Sequence, residues 1–172
     1  MKVPLSLVDK SNNKIVQSGA IVVLTKVIIN CPDELLFEKL EIITDKLQAI
    51  FRMKIFQAHQ ALLECLISII FHVQDEFRHY YHKFLPLFIE QIQKAKDDVT
   101  KRVAIDAVYS IGAHLSTEIL DYKEDILNIL DKCRTDKNQP IRAAAQETIK
   151  LLKDLEHQRS RSYDGSDLDA NL

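Results

Sequence analysis

Over residues 14–30 the apolar positions Val16, Ala20, Val23, Leu24, Val27 and Ile28 recur at spacings of three and four, and the run stops at Cys31-Pro32. That is the period of an amphipathic helix with a proline stop. Pro32 or Asp33 opens a second helix, whose stripe is Leu36, Leu40, Ile43, Leu47 and Ile50 and whose end falls near Phe51-Arg52-Met53. Residues 54–73 are apolar nearly all round, through Ile55, Phe56, Ala58, Leu62, Leu63, Leu66, Ile67, Ile70 and Phe71. A helix with so little polar face belongs between neighbours. A fourth helix is predicted over 76–95, capped by Asp75, with Pro86 inside it predicting a kink or a short first segment and a break. Residues 99–115 form a fifth, where Val103, Ala104, Ala107, Val108 and Ile111 face inward and Gly112 admits a close neighbour. A sixth segment runs over 116–134 and a last helix over 140–157. Residues 3–8 read as the end of a further helix or strand, cut short by the polar turn Asp9-Lys10-Ser11-Asn12-Asn13.

Helices separated by short turns suggest repetition, and the later helix of each pair carries the register. Gln17 is followed by Ala20, Val23 and Leu24; Ile55 by Ala58, Ala61 and Leu62; Lys101 by Ala104, Ala107 and Val108; Arg142 by Ala145, Thr148 and Ile149. A small residue three on, then apolar or small residues six and seven on, return about every forty residues, near the HEAT/armadillo period of ~40–47. The clearest copy begins at Arg134-Thr135-Asp136-Lys137-Asn138-Gln139-Pro140-Ile141-Arg142. There a basic helix end and a short turn lead into a proline, which suits a first helical turn because its missing N–H has no partner there. The fold expected is all-α, an α-solenoid (superhelix) of HEAT/armadillo-type hairpins with about four repeats, the first lacking most of its leading helix. It should occupy residues 1–157, as part of a longer array or alone. Residues 158–172, rich in serine, aspartate and arginine, are expected to be a disordered polar tail. Arg159-Ser160-Arg161-Ser162 in that tail is similar to a basic-directed kinase site.

With only 3 glycines and 4 prolines in 172 residues, composition agrees with a nearly all-helical chain. The net charge of −2 gives no bulk attraction to nucleic acid, so a charged partner has to be met by a local patch. Cys31, Cys65 and Cys133 are scattered among apolar residues without CxxC spacing, which points to reduced, buried thiols in an intracellular protein. The apolar runs 20–29 and 62–73 are too short to span a bilayer, and no membrane partner is expected.

Two passages carry more than a generic repeat. Lys14-Ile15-Val16-Gln17-Ser18-Gly19-Ala20, leading into Leu24-Thr25-Lys26-Val27-Ile28, resembles a segment of the Tortifolia/Spiral family of microtubule-associated proteins. The stretch Leu130-Asp131-Lys132-Cys133-Arg134 through Arg142 resembles a second segment of that family, and Phe56-Gln57-Ala58-His59-Gln60-Ala61-Leu62-Leu63 is similar to a third. The resemblance covers roughly residues 14–153 in order. It implies a TOG-like HEAT domain whose intra-repeat turns meet tubulin or the microtubule lattice, with a cytoplasmic location on the cytoskeleton, at microtubules or in the cilium and axoneme. The tryptophan that many tubulin-binding TOG domains carry in the first turn has no counterpart, since the chain has none.

In a stack of such hairpins all intra-hairpin turns lie along one edge, and here each turn holds cations. Lys10 and Lys14 fall at the first, Arg52 and Lys54 at the second, Lys94, Lys96, Lys101 and Arg102 at the third, and Arg134, Lys137 and Arg142 at the fourth. A positive stripe suits an acidic protein surface such as tubulin, although basic residues at helix C-termini also complement the macrodipole. The candidate partner-binding residues are Lys14, Arg52, Lys54, Lys96, Lys101, Arg102, Arg134, Lys137 and Arg142. Of these, Arg52, Lys54, Lys96 and Lys137 are expected to be free for a partner, and Arg142 to serve the hairpin by pairing with Asp136 or Asp98. Tubulin or microtubules, and other cytoskeletal proteins, are the partners implied. Self-association through the solenoid ends is a further expectation, because open ends expose apolar surface.

Other functions find less support. No Gly-rich phosphate loop, HExxH or nucleophile elbow occurs, so no enzyme activity, catalytic residue or cofactor is assigned. Glu76, His79 and His82 could share a helix face around a metal, but polar helix starts of this kind are far commoner than metal sites, and no metal is assigned. The alternative to tubulin binding is a scaffold that takes a peptide or protein partner in its concave groove, with Gln57, Gln60, Glu64, Asp106 and Glu147 facing it. A nucleic-acid binder is the third choice, weakened by a pI near 6.3, and no nucleic-acid partner is assigned.

Overall fold

The computed structural model describes residue 8 and residues 10–164. Among them the chain forms seven α-helices and no strand. They are α1 Lys14–Ile29, α2 Asp33–Phe51, α3 His59–Val73, α4 Tyr81–Lys94, α5 Asp98–Leu115, α6 Lys123–Cys133 and α7 Gln139–Asp164. Short 3-10 segments, Gln74–His79 and Ser116–Tyr122, connect α3 to α4 and α5 to α6. No helix among the described residues is long and apolar enough to cross a membrane.

The packing is that of an all-α helical-repeat solenoid. Hairpins form from α2 with α3, α4 with α5, and α6 with α7. The second helices stack in the order α1, α3, α5, α7, and the first helices in the order α2, α4, α6. α1 thus lies in the layer of second helices, against α3. The central helix is α5, which touches α3, α4 and α7 and buries Ala104, Ile105, Ala107, Val108, Ile111 and Leu115 completely. A seam of buried aromatic rings, Phe77, Phe84 and Phe88, fills the space beneath α4, with centroids 5.7 and 6.3 Å apart. Offset rings at such spacing add to the area they bury.

Several boundaries differ from the sequence expectation. The third helix starts at His59 rather than at residue 54, because the backbone before it is bonded elsewhere. Ile55 C=O accepts from Gln17 Nε2 (3.2 Å) and Gln57 N–H donates to Gln17 Oε1 (2.9 Å). The repeat register shifts accordingly. Gln17, Lys101 and Arg142 are each the fourth residue of their helices, and in α3 that place belongs to Leu62, not to Ile55. The displacement is about two helical turns, which keeps the same face; hence the pattern read at Ile55 looked regular. With Leu62 as anchor, the small buried residues three on become Ala20, Cys65, Ala104 and Ala145.

The predicted fourth helix is interrupted at Tyr80 rather than at Pro86, which lies inside α4. The chain leaves α3 through Gln74 at φ 45°, a conformation that ends an α-helix of L-residues. The sixth segment divides in the same way, into a 3-10 stretch and α6. α7 continues past His157 to Asp164, so residues 158–164 are helical and not the start of a disordered tail. Nothing in Gln158–Arg161 breaks a helix, and Lys123 to Glu156 and Arg159 to Asp121 (3.9 Å) tie this part to the preceding connection. Ser160, read as part of a kinase site, donates to Glu156 C=O within the helix. The expectations for residues 3–7 and 165–172 lie outside the described residues.

The thiols of Cys65 and Cys133 are buried and that of Cys31 is half-buried, and all are free. Burial pushes the Cys65 thiol up to about 11, against a hydrogen bond with Thr25.

Two features hold the edge of the stack in place. Gln17 is fully buried, and its amide donates to Ser11 C=O (2.7 Å) and Ile55 C=O while accepting from Gln57 N–H, joining the first turn to the second. At the other end of the edge Lys101 Nζ meets Asp136 Oδ2 at 2.6 Å and Asn138 Nδ2 donates to Asp98 Oδ2 at 3.0 Å, joining the third turn to the fourth. Between these, Lys83 with Asp45 (2.6 Å) and Gln48 with Lys83 C=O (3.1 Å) fasten α4 to α2.

Replacing Gln17 by Ala should lower unfolding stability by roughly 1–3 kcal/mol, because it strands a backbone donor and its acceptors. Gln57→Ala, which removes only an exposed bond to Asn12 C=O, should cost well under half of that; urea denaturation of the two variants checks the contrast. A second test concerns Gly112, where an added Cβ would lie 2.9 Å from Leu151 Cδ2 and 3.5 Å from Ile119 Cδ1. Gly112→Ala should be nearly neutral, since a gain in helix propensity of about 1 kcal/mol offsets a contact that the tip of Leu151 can relieve. Gly112→Val should overpack the α5–α7 contact and cost about 1–3 kcal/mol, read in the same denaturation series.

Candidate protein-interaction site

The edge carrying the intra-hairpin turns is the one on which the helix ends place most of their cations. Three of the four turns are built by a recognisable side-chain device. Asn13 caps α1 by accepting from Ile15 N–H (2.8 Å) and Val16 N–H (3.3 Å). Asp97 caps α5 by accepting from Thr100 N–H (2.8 Å) and Oγ1 (2.9 Å). In the fourth turn Asp136 accepts from Asn138 N–H at 3.0 Å. Side-chain caps of this kind fix the turns, and with them the stems of the flanking lysines and arginines.

The candidate cations divide into two groups. Lys101 is turned onto Asp136, and both are largely shielded from solvent. Burial, the largest single influence, would lower Lys101, but its hydrogen bond to Asp136 together with the attraction of Cys133, Asp136 and Asp98 outweighs it and raises it, while the same bond holds the Asp136 carboxyl below its ordinary range. The sequence expectation paired Arg142 with Asp136 or Asp98; instead its guanidinium donates to the backbone carbonyls of Asp136 (2.7 Å) and Lys137 (3.0 Å). The turn demanded a carbonyl partner because its last residues leave those oxygens without helical donors. Arg134 pairs with Asp131 (3.2 Å) and Arg102 with Asp106 (3.3 Å). Against these, Lys14, Arg52, Lys54, Lys96 and Lys137 are exposed and make no side-chain hydrogen bond or ion pair among the described residues.

The structure brings three of those free cations together. Lys14, Lys54 and Lys96, with Lys94, line a cleft of about 620 Å³ between the second and third turns. Phe56, Gln57, His59, Gln91, Asp97 and Thr100 complete its lining. Its one carboxylate, Asp97, is committed to its cap; the hydrogen bonds from Thr100, the backbone one first, hold it below its ordinary range. His59 packs edge-on against Phe51 and Phe56, at 5.4 and 5.1 Å. Burial holds its imidazole below the usual histidine range, opposed by a hydrogen bond to the Phe51 backbone, so at neutral pH it is a neutral wall. Lys94 pairs with Glu90 on the outside of α4 at 2.8 Å. Arg52 and Lys137 stand on the same edge outside the cleft.

Sequence reading had placed Lys94 at the third turn without making it a candidate, and it did not find Gln91 or His59. Gln91, Lys94 and Ala95 recur at helical spacing on the end of α4, a signal available in principle. His59 belongs to the cleft only because the second turn is longer than the pattern implied.

The other candidates are placed elsewhere. No cluster of three metal-ligating side chains occurs among the described residues, and Glu76, His79 and His82 are not brought together. Of the groove candidates, Gln60 donates to Glu64 (3.0 Å), Gln57 lies in the turn, and Asp106, raised by burial against the pull of Arg102, sits near Glu147. On the second-helix side a hollow of about 470 Å³ is bordered by Ile29, Ile67, Ser68, Phe71, His72, Ser110 and His114.

Among curated proteins none matches the chain. The sequence profile of the family described as TORTIFOLIA1 N-terminal, however, matches residues 1–154, nearly the whole of the solenoid. That family is associated with microtubules, which suggests a microtubule-associated role. A helical-repeat stack with cation-bearing turns, matched over that length, belongs to the TORTIFOLIA1 N-terminal family.

Proposed function

We propose that this chain is a non-enzymatic tubulin-binding domain, which meets tubulin or the microtubule lattice through the edge formed by its intra-hairpin turns. The observation that carries the reading is the division of the cations. Lys14, Arg52, Lys54, Lys96 and Lys137 are left without ion pairs among the described residues, whereas Lys101 and Arg142 are held within the fold and Arg102 and Arg134 make exposed pairs along their own helices. Uncompensated positive charge on a rigid edge raises the encounter rate with an acidic surface and selects its orientation. Family membership supplies the microtubule as the context.

A second reading, a scaffold for a peptide laid along the second helices, is favoured by the hollow on that side. Phe71 is 66% exposed there and meets His114 edge-on at 5.5 Å. An exposed aromatic ring beside a depression is a common anchor point for a partner. Phe71→Ala separates the readings, since it should leave microtubule binding unchanged.

Reversing charge at Arg52, Lys54, Lys96 and Lys137 together (each to Glu) should weaken microtubule co-sedimentation by more than about tenfold and leave helical circular dichroism intact. Pelleting of the wild-type chain should also fall as salt is raised, because exposed charges are screened. Undiminished pelleting by the charge-reversed chain sinks the proposal.

A further inference from the structure

The cleft between the second and third turns is shaped differently from the remainder of the edge. Arg52 and Lys137 lie outside the lining of this cleft, whereas Lys14, Lys54, Lys94 and Lys96 surround a recess of about 620 Å³. That lies within the roughly 300–1,000 Å³ usual for recesses that enclose a ligand, rather than touch one. Four lysines and a single carboxylate line it, with Asp97 held at its cap on α5, so the recess carries net positive charge. Low-dielectric walls focus the field of that net charge into the recess, and the edge-to-face rings of Phe56 and His59 supply such a wall.

We propose that this cleft is a slot for an extended acidic segment of the partner, one that presents successive carboxylates to the four lysines. The inference rests on reading this edge as the partner-facing one, and adds to it a distinct, flexible ligand. The lining favours carboxylates in series over a single phosphoryl group. All of its cations are lysines, which act as mobile point charges, and the planar arginine fork that grips phosphate through paired bonds is absent from it. Lys14 enters from α1, Lys54 from the second turn, and Lys94 and Lys96 from either side of Ala95. Amines approaching from separate elements fit a chain passing through, rather than one compact anion. The pair between Lys94 and Glu90 is exposed on both sides and joins residues one helical turn apart. Such pairs are weak, so Lys94 can exchange Glu90 for a carboxylate of the incoming segment.

The experiment measures the full chain against two probes. The first is a fluorescent oligoglutamate peptide, followed by anisotropy. The second is microtubules, either intact or with their acidic C-terminal tails removed by limited proteolysis. Lys54→Gln with Lys96→Gln alters the cleft, and Arg52→Gln with Lys137→Gln alters the edge outside it; all four residues are exposed, and circular dichroism reports that both variants keep their helix content. The wild type should bind the peptide, the cleft variant should bind it roughly tenfold more weakly, and the edge variant should lie within about twofold of wild type. Tail removal should lower wild-type pelleting and abolish its difference from the cleft variant. Equal peptide binding by wild type and cleft variant overturns the slot. So does displacement of the peptide by millimolar inorganic phosphate at no more than the ionic strength that leaves it bound in chloride. If pelleting depends on Arg52 and Lys137 but is indifferent to tail removal, tubulin binding stands and the slot falls. Cleft-dependent peptide binding without any pelleting supports the slot and removes the tubulin reading instead.

Discussion

Each second helix of this stack has to pack against a second helix on one or both sides and a first helix below, and that demand organises nearly everything else. α3 and α5 meet it by being apolar over most of their circumference, with Leu62, Leu63, Leu66, Ile69 and Ile70 in one and Val103 to Ile111 in the other. Close stacking also needs small residues at a repeated place, and Ala20, Cys65, Ala104 and Ala145 provide them. Gly112 extends the same requirement to the α5–α7 contact. Helices used up in this way have little surface left for charge. Polar chemistry is driven to their ends, which explains why the turns are both the most charged part of the chain and the part that a partner can reach.

At the turns, the cations answer two different needs. Successive hairpins must be held in register, and a buried amide does this at the first pair of turns, whereas a lysine–aspartate contact does it at the last. Gln17 and Lys101 occupy the same place in their helices, so one structural position is filled by a neutral solution at one end and a charged one at the other. The charged solution consumes Lys101 and Asp136, and the carbonyls of the same turn consume Arg142. Between the second and third turns no such pin occurs among the described residues, and there the gap opens into the lysine-lined cleft. A missing fastening and a surplus of charge coincide in one place.

Much of the architecture was legible in the residue pattern, because burial of one helix face leaves a period that no other element produces. What it could not supply was the local competition for backbone hydrogen bonds. Residues 54–58 have helix-compatible apolar spacing, yet the Ile55 carbonyl and the Gln57 N–H are bonded to Gln17, about forty residues away in sequence. The shift of register from Ile55 to Leu62 follows from that competition, and a seven-residue displacement is the one to which helical periodicity is nearly blind. The connections at Gln74–His79 and Ser116–Tyr122 were also hidden, since residues in a 3-10 turn bury side chains such as Phe77 and Ile119 as completely as an α-helix does.

The candidate site was legible in composition and not in partition. Lysines and arginines at every turn are visible in the sequence, but Lys54 and Lys101 look alike there, each a cation near the start of a second helix. Their difference lies in whether a carboxylate from the next hairpin arrives within hydrogen-bond distance. Asp136 arrives at Lys101 because the fourth turn is short and bends back through its own Asn138 N–H. Nothing equivalent reaches Lys54, because the acidic residue of the third turn, Asp97, is already bound to Thr100. The charge of the cleft therefore rests on number: four lysines face one carboxylate, and Asp97 keeps its negative charge while it caps α5, since the bonds from Thr100 hold it below its ordinary range. The cap that begins α5 thus fixes where that one counter-charge sits, and the recess is positive because the lysines around it outnumber it.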